Sequence, residues 1–95
     1  MSAYVIVDIA VTNASLYEEY KRLAQVSVQA SGGRYIARGG TTQLLEGSSQ
    51  PNRVVVLEFP SLEHARAWYA SPEYSRAIAV RQPCAKVNMV LVDGL

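Results

Sequence analysis

The run Tyr4-Val5-Ile6-Val7-Asp8-Ile9-Ala10-Val11-Thr12 limits the fold more than any other feature of this chain. Its β-branched side chains are stiff at χ1 and suit a pleated strand better than a helix. The odd positions Val5, Val7, Ile9 and Val11 are all aliphatic, while the even positions Tyr4, Ile6, Asp8 and Ala10 are mixed. A strand that alternates apolar with polar needs one covering layer. This one needs two, because its second face is also apolar yet carries a carboxylate.

The rest of the chain reads as five further segments. Ser15-Leu16-Tyr17-Glu18 fits a capping box, with Asn13 as the competing N-cap. Leu16, Tyr20, Leu23, Ser27 and Ala30 then recur at helical spacing, up to a stop at Gly32-Gly33. Arg34–Arg38 reads as a second strand, bent at Gly39-Gly40 and resumed through Thr42–Glu46. A turn cluster, Gly47–Asn52, leads into a third strand, Arg53–Phe59, and the two strands form a hairpin. Ser61 caps a helix from Leu62 to about Ala70, with Leu62, Ala65 and Trp68/Tyr69 as its buried stripe. Ser71-Pro72-Glu73 restarts the helix, with serine at the N-cap, proline first inside and a carboxylate at the positive dipole end. A last strand spans Ala85–Val92. The order β-α-β-β-α-β, with the second helix split in two, predicts an α+β, ferredoxin-like domain over residues 1–95 with a four-stranded antiparallel sheet.

Composition narrows the function classes. Nine basic against eight acidic residues leave a formal charge of +1, too balanced for a non-specific nucleic-acid binder. No apolar run approaches the ~20 residues of a membrane span, and no signal-peptide pattern opens the chain, so a cytoplasmic location is expected. A single cysteine excludes an internal disulfide. The only histidine, His64, has no cluster of acidic or thiol ligands in the pattern around it, so no metal site and no cofactor are expected. His64 reads instead as a surface residue of a first helical turn. Cys84 has no base in its local sequence and reads as a structural thiol. Arg38-Gly39-Gly40 lacks the lysine and the following helix of a phosphate loop, and reads as a bend. Trp68, Tyr69 and Tyr74 sit at helical spacing, with Trp68 in the core and Tyr69 or Tyr74 at a rim or interface.

Several segments together resemble a known family: Tyr4–Asp8, Tyr17–Tyr20, Gly32–Gly40, Leu45–Gly47, Val56–Ser61, Ala67–Tyr69 and Ser71–Tyr74. In order and over essentially the whole chain, they are similar to the domain-of-unknown-function family numbered 1330. Asn13-Ala14 and Asp93 depart from the family's usual Asp-Pro-like cap and Glu-Gly ending. The resemblance implies a dimeric α+β barrel, in which two protomers face their sheets together. It implies no established activity, because the family is itself uncharacterised, and a superfamily that includes cofactor-free monooxygenases, small isomerases and haem-degrading enzymes does not choose a reaction.

The candidate pocket residues are Tyr4, Asp8, Arg38, Glu58 and Asn88, each within an otherwise apolar strand. Matching strand ends places Asp8 opposite Asn88, and Tyr4 near Glu58 and Val92. Arg38 is expected at the Glu58 end of the hairpin, giving two polar spots roughly 13 Å apart. Asp8 has no assured cationic partner and is the candidate general base. Ile6, Ile36, Val54, Val56, Val90 and Val92 share that face, so a second copy is expected to cover it. Two functions follow from different classes. One is a homodimer that binds or transforms a small organic molecule without metal; the other is a structural module whose charges pair across the seam.

Overall fold

The computed structural model describes residues 1–95. Its elements are β1 (Ala3–Val11), α1 (Ala14–Ala30), β2 (Arg34–Arg38), β3 (Arg53–Phe59), α2 (Leu62–Tyr69), α3 (Pro72–Arg81) and β4 (Ala85–Asp93). The strands form one antiparallel sheet in the order β2-β3-β1-β4. Three helices lie on one side of it, which is the ferredoxin-like arrangement the element order predicts.

The odd-numbered residues of β1 and β3 face those helices. Val5, Val7, Ile9, Val55, Leu57 and Phe59 are buried there with Trp68, Tyr74 and Val28. The even positions point the other way, and nothing within the chain covers them: Ile6, Val90 and Val92 stay 44–51% exposed.

Three local expectations are corrected. Asn13, not Ser15, caps α1, its side-chain oxygen accepting the Leu16 N–H at 3.2 Å. The buried stripe of α1 is Tyr17, Tyr20, Ala24, Ser27 and Val28, so it includes Tyr20 and Ser27 but not Leu16, Leu23 or Ala30. Tyr17 and Tyr20 can be buried because their hydroxyls find partners, at Arg53 and Tyr74. Residues 40–46 form no strand, because β2 ends at Arg38 and no further stretch of β3 is left to pair with them. The stops and caps elsewhere hold. Gly32 closes α1 at φ +78°, and Ser61 and Ser71 cap α2 and α3 through their side chains.

Candidate functional site

The register on the open face places Tyr4 between Glu58 and Val92, and Asp8 between Val54 and Asn88, as strand matching predicts. Tyr4 donates its hydroxyl to Glu58 Oε2 at 3.2 Å, and Arg34 reaches Glu58 Oε1 at 2.6 Å. The Ser2 hydroxyl, then the Arg34 guanidinium, hold the Glu58 carboxyl below the ordinary carboxylate range. Asp8 Oδ1 accepts the backbone N–H of Asn52 at 2.9 Å, tying the end of the β2–β3 loop to the sheet. Asn88 stands exposed beside it.

Arg38 is not at the Glu58 end. In an antiparallel hairpin the first residue of β2 meets the last turn of β3, so Arg34 pairs with Glu58 and Arg38 with Val55. An irregularity between Tyr35 and Ala37 inserts one residue and reverses the side-chain parity beyond it. Arg38 therefore lies on the helix side. It stacks on Tyr35, with Cζ 4.3 Å from the ring centroid, and donates to Gln25 Oε1 at 2.7 Å and to the Lys21 carbonyl at 3.3 Å. The ion pair with Glu58 thus belongs to Arg34, which the constant residue sum of the hairpin could have identified.

The two most enclosed cavities are on the helix side, while a shallower hollow of about 180 Å³, lined in part by Ser2, Arg34 and Glu58, lies at the Glu58 end of the sheet. An open groove of about 380 Å³ runs between α2 and the edge strand β4, lined by Val5, Ala65, Arg66, Trp68, Tyr69, Met89 and Leu91. A second, narrow cleft of about 30 Å³ lies between α1 and the β1-β3-β2 part of the sheet. That is room for about one water. Trp68 and Met89 line both cavities and separate them.

The wall between them is held by buried polar bonds. The indole N–H of Trp68 donates to Ser27 Oγ at 3.0 Å, and that hydroxyl donates to the Ala24 carbonyl at 2.7 Å. The Tyr20 and Tyr74 hydroxyls meet at 2.9 Å, and Arg81 donates to the Tyr74 oxygen at 3.1 Å. Burial, before any neighbouring charge, pushes both phenols above the ordinary tyrosine range. Tyr69 lies 52% exposed at the groove rim, while Tyr74 is fully buried. His64 is exposed and hydrogen-bonds Ser61 through Nδ1 at 2.8 Å. Cys84 is fully buried, its thiol directed to the Val80 carbonyl at 3.5 Å. No three His, Cys, Asp or Glu side chains converge on a point that could hold a metal ion.

The same fold occurs in solved structures of low sequence identity. A protein of unknown function from Rhodopseudomonas palustris superposes with a TM-score of 0.81 at 18% identity, over 99% of this chain and 82% of the other. SnoaB, a cofactor-independent oxygenase from Streptomyces nogalater, gives 0.68 at 11% identity, over 99% of this chain and 93% of the other. A dimeric ferredoxin-like protein of unknown function from Thermobifida fusca gives 0.65 at 13% identity, over 99% and 92%. No curated protein matches the sequence. The family model for the domain of unknown function DUF1330 matches residues 2–95, and on that match the chain belongs to the DUF1330 family.

Proposed function

We propose that this chain works as a cytoplasmic homodimer, joined through the open faces of its sheets, that binds a small organic molecule on the helix side of each protomer without metal or large cofactor. The groove carries the reading. Its volume of about 380 Å³ is within the range of small-molecule sites, and its lining is apolar and aromatic with one cationic residue, Arg66. Such a lining suits an apolar or aromatic body with one polar substituent. The oxygenase activity of SnoaB is a property of that protein, and it supports the idea that this fold can transform a small molecule with side chains alone.

The dimer rests on the uncovered aliphatic face and on the Thermobifida fusca relative being described as dimeric. In it, Tyr4, Asp8, Glu58 and Asn88 meet the partner copy, so a sheet-to-sheet pocket and a charge-paired seam are its two readings. The saturation of Glu58 by Ser2, Tyr4 and Arg34 favours the seam.

Trp68 is the single tryptophan and lines the groove, so its emission reports occupancy. Titration with a neutral apolar aromatic probe such as N-phenyl-1-naphthylamine is expected to saturate at one site per chain. Leu91→Arg, which places a charge in the groove, should weaken binding at least about tenfold with the fold intact. Equal binding by the variant, or an emission that no probe or library compound changes, would overturn the proposal.

A further inference from the structure

The narrow cleft has an electrostatic feature that the groove lacks. Lys21, Arg38 and Arg53 all line it, together with Tyr17 and Tyr35. The chain has three ion pairs, Lys21–Glu18, Arg22–Glu19 and Arg34–Glu58. Lys21 is thereby neutralised, at 2.9 Å from Glu18, but neither Arg38 nor Arg53 has a carboxylate. Two guanidinium charges consequently share one cleft with no protein anion between them. Two cations lining one cleft repel, and the arrangement is relieved when an anion occupies it.

The backbone is shaped to hold these groups together. Arg53 donates Nε to the Tyr17 hydroxyl at 3.1 Å and lies over that ring at 5.6 Å. These contacts use the guanidinium face and one of its N–H groups, while its terminal N–H groups have no protein acceptor. Its guanidinium packs directly on Gly39, where a Cβ would collide with it. Gly39 is also at φ +70°, a conformation that disfavours other residues. The glycine bend after Arg38 thus brings the two arginines to one place. Arg38 is fixed by Gln25 and by the Lys21 carbonyl, so its charge is positioned before any ligand arrives.

From this juxtaposition we infer that the Arg38–Arg53 cleft is a binding site for the carboxylate of a small organic anion with an apolar body. Guanidinium forks match a planar carboxylate in two parallel hydrogen bonds. The mostly apolar lining, with Tyr35 partly exposed at its mouth, suits an apolar substituent better than a free inorganic ion. With room for only about one water in the cleft, the carboxylate is held at the mouth and the body rests outside it, against the partly exposed Tyr35. The site is separate from the groove on the other side of Trp68, and its assignment does not depend on a ligand there.

The test is titration calorimetry of the intact protein with benzoate, benzamide, acetate and inorganic phosphate, with the arginine Nε–H resonances followed by NMR. Benzoate is expected to bind at one site per chain, at least about tenfold tighter than its neutral isostere benzamide and tighter than acetate or phosphate. The Nε–H resonance of Arg53 should shift with it. Arg53→Gln should weaken benzoate at least about tenfold, and Arg53→Lys, which keeps the charge without the fork, should fall between. Gly39→Ala should also weaken it, by displacing the Arg53 guanidinium without changing any charge. Leu91→Arg in the groove should leave benzoate binding unchanged, which separates failure of this site from failure of the groove. Benzamide binding as well as benzoate, phosphate binding as tightly as benzoate, no detectable binding, or full affinity in Arg53→Gln would each overturn the assignment.

Discussion

The two faces of the sheet are built from the same strands, yet they solve different problems. On the helix side, every buried side-chain nitrogen and oxygen has a partner: Trp68 has Ser27, Tyr20 has Tyr74, and Tyr17 has Arg53. That side is covered by the chain's own helices and holds the groove and the narrow cleft. On the opposite side, Ile6, Val90 and Val92 lie beside Asp8, Glu58 and Asn88 with nothing above them. An aliphatic sheet face with a few fixed polar groups is suited to a second protein surface, since the apolar area drives association and the polar groups set its register. The contrast explains how alternating residues of a single strand, Val5 and Ile6, can both be aliphatic and have different tasks.

Truncating Trp68 to alanine should have the largest effect on stability. It removes a fully buried indole from the centre of the helix-side core, at a cost of about 3–5 kcal/mol in urea or thermal unfolding. A loss below ~1 kcal/mol would mean that this side is not the core. Ile6→Asp probes the other face. It should leave each protomer folded by circular dichroism but abolish the dimer in sedimentation, because a carboxylate on each copy would be desolvated in the seam. The parent should sediment as a dimer burying more than ~1,000 Å² at micromolar concentration, and a stable parent monomer would show that the open face is not an interface.

Ser27→Ala is a finer probe of the closed side. It leaves the Trp68 indole N–H without its acceptor and should cost about 1–3 kcal/mol, more than a serine on the surface would. Gly39→Ala should cost about 1 kcal/mol, from the positive φ and the displaced Arg53.

The smallest effect concerns pH on the open face. Glu58 has its folded pKa lowered, by the Ser2 hydroxyl first and Arg34 next. Its contribution to stability is therefore present above the ordinary glutamate pKa and is lost as pH falls through the lowered folded value. Glu58→Gln should flatten the acid limb of a stability–pH profile, and an unchanged limb would show that the Arg34 pairing is not coupled to folding. The effect should be slight, because Arg34 is largely exposed to solvent.

Much of the architecture is legible in local chemistry. The β-branched alternation of β1, the serine caps before α2 and α3, the Pro72 start and the Gly32 stop are all short-range preferences, and the elements form where they indicate. The register of β1 with β3 and β4 is legible too, because matching the ends of antiparallel strands gives the observed alignment. The capping competition at Asn13 and Ser15 was not decided locally, since both residues can accept an N–H and only the packing of Tyr17 and Tyr20 selects the helix phase.

The site shows the same division. Strand matching alone makes Tyr4 and Glu58 neighbours, sets Asp8 across from Asn88, and puts these residues on a face with aliphatic side chains demanding cover. The fate of the arginines depends on the folded sheet. One extra residue between Tyr35 and Ala37 sends Arg38 through the sheet to the helix side, leaving Arg34 with Glu58. Packing of separate elements likewise sets the Arg53 guanidinium on Gly39 and leaves the groove between α2 and β4. Strand parity is a local property that a single bulge reverses, whereas a cavity depends on where separate elements fail to meet. That failure has no signature in any one segment.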